Sequence, residues 1–292
     1  MSLTFMYSGQ GSQYVGMCKE LYESFPIVKN RFIEASQLLG YDVSDIMFNH
    51  EETLNDTLYT QPLMFVMYVA ITDLLKSKGY ESTHTLGLSL GEYGALYDSG
   101  VISYKTGLEM LSKRGLFMSE ASKNTSGKMC AVLGLEESVL KEVISKESGY
   151  VTIANYNTIG QLVLSGEEAA VMRVADAAKA AGAKRAIMLN TSGPFHSDLM
   201  KDASVKFEDY VKHVSFNQPN KAVVVNTTGT YFEDDMKQEL TDQITSSVMF
   251  TQSIEKLLSD GCTTFVEIGP KKTLSSFVKK INRNATILNV ED

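Results

Sequence analysis

The sequence contains few cysteines, and they are not arranged as ligands or as disulfide partners. There are three in 292 residues, far apart and outside any C-x-x-C pair: Cys18, Cys130 and Cys262. An odd number of widely spaced cysteines argues against a disulfide framework and against a structural zinc site. We therefore expect reduced thiols and a cytoplasmic location.

Long basic runs and long hydrophobic runs are also absent. The formal net charge is −8 and no Lys/Arg run offsets it, which argues against nucleic-acid binding. The apolar stretch at 62–71 is too short to cross a bilayer, and the first residues lack the basic region of a signal peptide. With 43% hydrophobic and 21% charged residues, the chain is typical of a globular protein that needs no membrane.

Strand and helix signals alternate along most of the chain. Short apolar runs predict strands, and amphipathic stretches between them predict helices at 22–39, 62–78, 92–98, 103–121 and 198–211. This alternation predicts an α/β fold in which helices cover both faces of a mostly parallel sheet.

The pattern of predicted strands and helices changes from residue 128 onward, where it follows the order β-α-β-β-α-β. That order is typical of a ferredoxin-like unit. The sequence therefore predicts a ferredoxin-like insert at 127–193 within a large catalytic domain, of the α/β-hydrolase-like kind, formed by 1–126 and 194–292.

The segment Gly87–Gly91 reads G-x-S-x-G and lies between a predicted strand and a predicted helix. A nucleophile elbow needs this context, because it exposes the serine, here Ser89, beside the free N–H groups of a helix N-terminus. The pattern alone is equally compatible with an ordinary glycine-rich turn. The other residues of a catalytic site must decide between these alternatives.

Only four histidines could act as a base for Ser89: His50, His84, His196 and His213. His196 is favoured, because it follows a Gly-Pro turn and precedes a helix, where an imidazole can face a cleft. No Asp or Glu stands out as a third member of a triad. A backbone carbonyl could orient the imidazole instead, by fixing its tautomer.

Two further features leave alternatives open. Arg114 lies on a helical stretch with apolar neighbours, so it either extends to the surface or is a buried guanidinium that awaits a carboxylate. The turn at 8–13 could bring backbone N–H groups close to an anion, but it lacks the lysine of a phosphate-binding loop. Alone, that turn would be interpreted as a tight turn without a ligand.

Eight motifs together resemble the malonyl-CoA:acyl carrier protein transacylases, over residues 3 to about 284. They are GQGSQ (9–13), TQP (60–62), GLSLGEY (87–93), KRGLFM (113–118), ANYNTIGQLVLSG (154–166), AGAKR (181–185), SGPFHS (192–197) and EIGPKKTL (267–274). Many relatives have Pro at the position of Ser8 and His at that of Leu88. Neither departure removes a group that the predicted chemistry needs.

The resemblance implies a role for each matching residue. Ser89 would carry the malonyl ester, His196 would act as base and acid, and the N–H groups of Gln10 and Leu90 would form the oxyanion hole. Arg114 would grip the malonyl carboxylate. Gln61, Asn157 and Met118 would line the pocket, and Phe195, beside the base, is expected to narrow it against α-branched acyl groups. The carbonyl that orients His196 is placed at Met249, in a run that departs from the family pattern.

The implied partners are malonyl-CoA and an acyl carrier protein, with no metal or cofactor, and the chain is expected to be a monomer. Carrier proteins are typically acidic, so exposed basic residues are expected to dock them: Lys184, Arg185, Lys279, Lys280 and Arg283. The alternatives are an acyltransferase of a polyketide synthase, a thioesterase or esterase, and a non-catalytic carrier-binding module.

Overall fold

The structure is a computed structural model that describes residues 2–290. Its strands are β1 (Leu3–Tyr7), β2 (His84–Gly87), β3 (Gly127–Leu133), β4 (Val151–Thr158), β5 (Gln161–Glu167), β6 (Arg185–Met188), β7 (Ala222–Val224), β8 (Thr264–Ile268) and β9 (Thr286–Val290). Its helices are α1 (Lys19–Ser24), α2 (Pro26–Leu39), α3 (Val43–Asn49), α4 (Glu51–Asn55), α5 (Thr57–Ser77), α6 (Glu92–Asp98), α7 (Tyr104–Lys123), α8 (Glu137–Ser145), α9 (Glu168–Ala180), α10 (Lys201–Val211), α11 (Met236–Asp242), α12 (Phe250–Ser259) and α13 (Thr273–Ile281). Short 3₁₀ turns at Ser89–Gly91 and Asp198–Met200 lead into α6 and α10.

The first sheet is parallel and has the strand order β7-β2-β1-β8-β9. Its central strand β1 is buried on both faces, as parallel sheets require. Phe5 and Tyr7 pack into the core that contains α5 and α7, whereas Met6 packs into the core that contains α12 and α13. The predicted two-sided α/β arrangement is therefore confirmed.

The second sheet is antiparallel and has the order β4-β5-β3-β6. In order along the chain, its strands β3 to β6 occupy positions three, one, two and four of the sheet, as in a ferredoxin-like unit. Helices α8 and α9 pack on this sheet and form a separate core with it. The predicted combination of two sheets is confirmed. The boundaries at 127 and 193 remain a prediction.

Two helix predictions need correction. The stretch predicted as one helix at 22–39 is divided into α1 and α2, because Phe25 is extended before Pro26 begins the second helix. Helix α5 begins at Thr57 rather than at Pro62, because the Asp56 side chain accepts the backbone N–H of Leu58 and caps the helix.

Helix α5 is also longer than the apolar run in the sequence suggested. By length and composition its 21 residues could cross a membrane, but 78% of its most apolar window is buried inside the protein. A core helix of this kind passes the same test, so the helix carries no argument for a membrane.

The contact between α5 and α7 leaves no room for a side chain at Gly107. A Cβ there would lie 2.2 Å from the ring of Phe65, and this ring is fully buried beside Tyr97 and Tyr104. We therefore expect Gly107→Ala to lower the free energy of unfolding by about 1–3 kcal/mol, because a fixed ring must move. Urea denaturation measures this change.

The matched control is Lys113→Ala at an exposed position of the same helix. It should change the free energy of unfolding by less than about 0.5 kcal/mol. Equal stability of the two variants would contradict the packing argument.

Candidate active site

Ser89 lies on a sharp turn between β2 and α6 and has the left-handed backbone conformation, with φ at 54°. A non-glycine residue in this region costs on the order of 1–3 kcal/mol, so neighbouring contacts must hold it. The Asn226 side chain supplies two of them. Its Oδ1 accepts the Ser89 N–H at 2.6 Å, and its Nδ2 donates to the carbonyl of Gly87 at 2.7 Å.

His196 is the histidine that the fold brings to Ser89. Its Nε2 lies 2.7 Å from Ser89 Oγ, although the two residues are 107 positions apart. Its Nδ1 lies 2.9 Å from the carbonyl oxygen of Gln243 and 3.1 Å from that of Ser246. These carbonyls require a proton on Nδ1, which leaves Nε2 free to accept the serine proton.

The prediction that the Met249 carbonyl orients His196 is wrong. Met249 is the N-cap of α12, and its carbonyl instead accepts the backbone N–H and the hydroxyl of Ser253. The carbonyls at the imidazole belong to Gln243 and Ser246, which lie before the strand-like residue Val248. The predicted type of partner is present, and only the residue differs.

The surroundings of His196 favour its neutral form. Burial and, to a smaller extent, the positive charge of Arg114 lower its pKa to about 4, although the two carbonyls oppose this shift. The imidazole is therefore uncharged at neutral pH. A neutral imidazole bonded to a hydroxyl is the arrangement that general-base catalysis needs.

Arg114 is buried, with 1% of its surface exposed, so the alternative that it extends to the surface is wrong. Its Nη1 donates to Gln61 Oε1 at 2.9 Å, and its Nη2 donates to Gln243 Oε1 at 3.0 Å and to Ser89 Oγ at 3.3 Å. Within residues 2–290, Nε has no hydrogen-bond partner. None of the ion pairs in that part of the chain includes Arg114.

A buried guanidinium without a carboxylate is rare, because removing a charge from water is costly unless a partner compensates it. Burial lowers the pKa of Arg114, but arginine keeps its proton in proteins. The site therefore holds a positive charge beside Ser89 Oγ, and a carboxylate on a bound acyl group would complete it.

The turn after β1 packs directly against the elbow. The Leu88 N–H donates to the carbonyl of Tyr7 at 3.0 Å, and a Cβ on Gly91 would lie 2.1 Å from that same carbonyl oxygen. This close approach brings the turn that contains Gln10 to the turn that contains Leu90. Donation by their two N–H groups to an oxyanion stays a prediction.

Three of the other predicted pocket residues, Gln61, Met118 and Phe195, adjoin this centre, and the place of Asn157 in the pocket stays a prediction. Gln61 contacts Arg114 and also donates to the sulfur of Met118 at 3.4 Å. Phe195 is buried and directly precedes His196. Asn157 lies on β4, and its buried Oδ1 has no partner within residues 2–290.

Gln243 was missed by the sequence analysis, although it connects every central residue. Its carbonyl accepts a hydrogen bond from the His196 N–H, and its side-chain oxygen accepts one from the Arg114 guanidinium. Its Nε2 donates to the Ser89 carbonyl at 3.1 Å. Asn226 was missed as well. Uncharged amides in ordinary polar stretches give no signal in a single sequence.

The fold and the site together define a class of protein: an α/β protein with an elbow serine, a histidine base and a buried arginine at the nucleophile. The family model described as the acyl transferase domain matches residues 4–291, so this chain belongs to that family. The resemblance inferred from the eight motifs is thereby confirmed.

Individual relatives agree over more than nine-tenths of their length. The malonyl CoA-acyl carrier protein transacylase of Bacillus subtilis (strain 168) is 40% identical over 296 residues, which cover 99% of this chain and 93% of the relative. The crystal structure of MCAT from Streptococcus pneumoniae superimposes with a TM-score of 0.96 at 44% identity, covering 100% of this chain and 96% of that one. A malonyl-transacylase in complex with its type II PKS acyl-carrier protein gives a TM-score of 0.97 at 34% identity, with 100% and 96% coverage.

The environment of His196 predicts that the rate at which Ser89 reacts falls only at an unusually low pH. The hydroxyl reacts while the imidazole is neutral, so the rate should fall only as the pH drops through about 4. An unperturbed histidine would give this fall near about 6.5. The rate of labelling by a fluorophosphonate, followed by intact mass, measures the profile.

In Arg114→Ala the midpoint of this fall should move to higher pH, because the guanidinium no longer opposes protonation of His196. Ser89→Ala should take no label, and circular dichroism at each pH checks the fold. A midpoint near about 6.5 in the wild type would contradict the predicted environment.

Proposed function

We propose that this chain transfers a malonyl group from malonyl-CoA to the phosphopantetheine thiol of an acyl carrier protein, through an ester on Ser89. The buried guanidinium of Arg114 carries this proposal, because it lies 3.3 Å from Ser89 Oγ and has no carboxylate partner within residues 2–290. Family membership and the names of the relatives agree with it.

In the first half-reaction His196 Nε2 takes the hydroxyl proton while Ser89 Oγ attacks the malonyl thioester carbonyl. The N–H groups of Gln10 and Leu90 stabilise the oxyanion, a contribution worth about 3–4 kcal/mol for each donor. The intermediate then collapses, the carbon–sulfur bond breaks, and coenzyme A leaves with the proton from His196. Arg114 holds the free carboxylate throughout.

The second half-reaction reverses these steps with a different thiol. His196 takes the proton of the phosphopantetheine thiol, and the sulfur attacks the malonyl-serine carbonyl. The ester bond to Ser89 breaks, and His196 returns the proton to the serine oxygen. No oxidant, reductant or metal is consumed, so the cycle balances with the residues of this site.

The same chemistry would serve fatty acid synthesis or a polyketide synthase. A relative solved with a type II PKS acyl-carrier protein supports the second context. An esterase or a thioesterase has no use for a buried guanidinium, so Arg114 disfavours both. We further propose that the protein is a monomer in the cytoplasm. Residues 1–126 and 194–292 would form its catalytic domain, and residues 127–193 would form an insert.

Intact-mass measurement after mixing with malonyl-CoA tests the mechanism. The wild type should gain the mass of one malonyl group, and Ser89→Ala should gain none. Arg114→Ala should lose malonyl preference over acetyl by on the order of 100-fold, because charge-assisted hydrogen bonds to a carboxylate are lost.

Lys113→Ala, the exposed neighbour on α7, is the control and should keep the malonyl preference. No adduct on the wild type, or an adduct retained by Ser89→Ala, would exclude the proposed ester. An unchanged acyl preference in Arg114→Ala would exclude its proposed partner.

The five exposed basic residues that are predicted to dock the carrier protein lie in two groups around the β4–β5 turn. Together we call them the basic rim. Lys280 Nζ donates to Gln161 Oε1 at 3.2 Å, which brings α13 against β5. On the other side, Gly134 N–H donates to the carbonyl of Gly160, and a Cβ on Gly134 would meet the Lys184 side chain. The basic rim comprises Lys184, Arg185, Lys279, Lys280 and Arg283.

Charge reversal on the basic rim tests it as the carrier-docking surface. Lys184→Glu with Lys280→Glu should raise the KM for carrier protein by about tenfold at low salt, and added salt should reduce this difference. The rate of Ser89 loading from saturating malonyl-CoA should stay unchanged. Lys105→Glu on α7 is the control, and unchanged transfer in the double variant would refute this surface.

A further inference from the structure

Glu92 is a buried carboxyl group that the proposed mechanism does not use. It is the first residue of α6, directly after the elbow, and none of its surface is exposed. Its Oε2 accepts the backbone N–H of Asn226 at 2.9 Å, whereas its Oε1 has no hydrogen-bond partner within residues 2–290. Asn226 is the residue whose side chain holds Ser89, so Glu92 supports the nucleophile through one intermediate residue.

A second carboxyl group lies beside it. Glu239 of α11 accepts the backbone N–H of Thr227 at 3.2 Å and also the Thr227 hydroxyl. Asn226 and Thr227 are consecutive, so the two carboxyls hold adjacent residues of one segment, and the charge of Glu239 acts on Glu92. None of the ion pairs within residues 2–290 includes Glu92 or Glu239.

The charged and polar groups around this pair come from α7, from α11 and from loop residues at 226–227 and 243. Burial raises the pKa of Glu92 well above its ordinary value, and the charge of Glu239 raises it further, while Gln243, Asn226 and Arg114 lower it. Burial also raises the pKa of Glu239, with Thr227 opposing and Asp242 reinforcing this shift. Two adjacent carboxyls in a dry site cannot both ionise at ordinary pH.

We propose that Glu92 and Glu239 share one proton at neutral pH, so that an uncharged Glu92 positions the Ser89 loop and leaves Arg114 free for the substrate carboxylate. A charged Glu92 would compensate the guanidinium and repel the malonyl group, because electrostatic interactions are strong in a buried site. Glu92 is thus a positioning and specificity residue. This inference rests on the proposed malonyl transfer.

The variant Glu92→Gln separates the two forms of the side chain, because an amide has the shape of the protonated acid and cannot ionise. At neutral pH it should keep the rate of malonyl loading within about threefold of the wild type, whereas Glu92→Ala should lose loading because Asn226 is no longer held. Loss of loading in both variants would overturn the proposal, since it would mean that the carboxylate itself is required.

The pH dependence of KM provides a readout that a purely structural role would not change. From about pH 6 to about pH 9.5, the wild-type KM for malonyl-CoA should rise at the alkaline end, where the pair loses its shared proton. The KM for acetyl-CoA should not rise in this way, and Glu92→Gln should abolish the rise for malonyl-CoA. A malonyl-to-acetyl KM ratio with the same pH dependence in wild type and Glu92→Gln would refute the proposal.

Thermal unfolding tests the shared proton without any substrate. A carboxyl whose pKa is raised by folding stabilises the protein most below its unfolded pKa, and this contribution is lost as the pH rises through the folded pKa. The Tm of the wild type should therefore fall relative to that of Glu92→Gln between about pH 5 and about pH 8. A constant difference would overturn the shared proton, whereas a wild type that loads no malonyl would instead refute the proposed function.

Discussion

The uncompensated positive charge of Arg114 is the constraint on which the rest of the site depends. Its guanidinium is almost fully buried and lies over the Tyr93 ring, yet within residues 2–290 its hydrogen bonds go only to the amide oxygens of Gln61 and Gln243 and to the hydroxyl of Ser89. Neutral acceptors satisfy part of its hydrogen-bonding capacity without cancelling its charge. The fold thus maintains an unfavourable burial, and the packing of α5 against α7 must offset its cost.

Gln243 fixes the position of this charge relative to the reacting atoms. Through one residue, the Ser89 carbonyl, the His196 imidazole and the Arg114 guanidinium are fixed relative to each other. The segment after Gln243 is in turn fixed to the second sheet, because Val248 pairs with β4 through hydrogen bonds to Ala154 and Tyr156. The geometry of the site therefore depends on how the second sheet sits against the first.

The parts of this molecule that could be predicted from the sequence are those with periodic or titratable signals. Alternating apolar segments indicated both sheets, and the G-x-S-x-G context and the small number of histidines indicated Ser89 and His196, whereas the role of Arg114 came from the family resemblance. The beginning of α5 was misplaced because a cap at Asp56 outweighs the cue from Pro62. Gln243 and Asn226 gave no signal because amides do not titrate. Met249 was wrong because any residue supplies a carbonyl, so only the fold selects Gln243 and Ser246.

Within residues 2–290 no carboxylate binds His196, and this follows from the same constraint as the shared proton at Glu92. An ionised Asp or Glu on the Nδ1 side would stabilise the imidazolium, but it would also stand beside Arg114 and compete for its charge. Two backbone carbonyls fix the tautomer without adding a negative charge. The site thereby accepts a less basic imidazole, with its pKa lowered to about 4, and keeps a guanidinium that discriminates for a carboxylate on the acyl group. Specificity for a charged acyl group and the use of a serine–histidine pair are then two consequences of one buried charge.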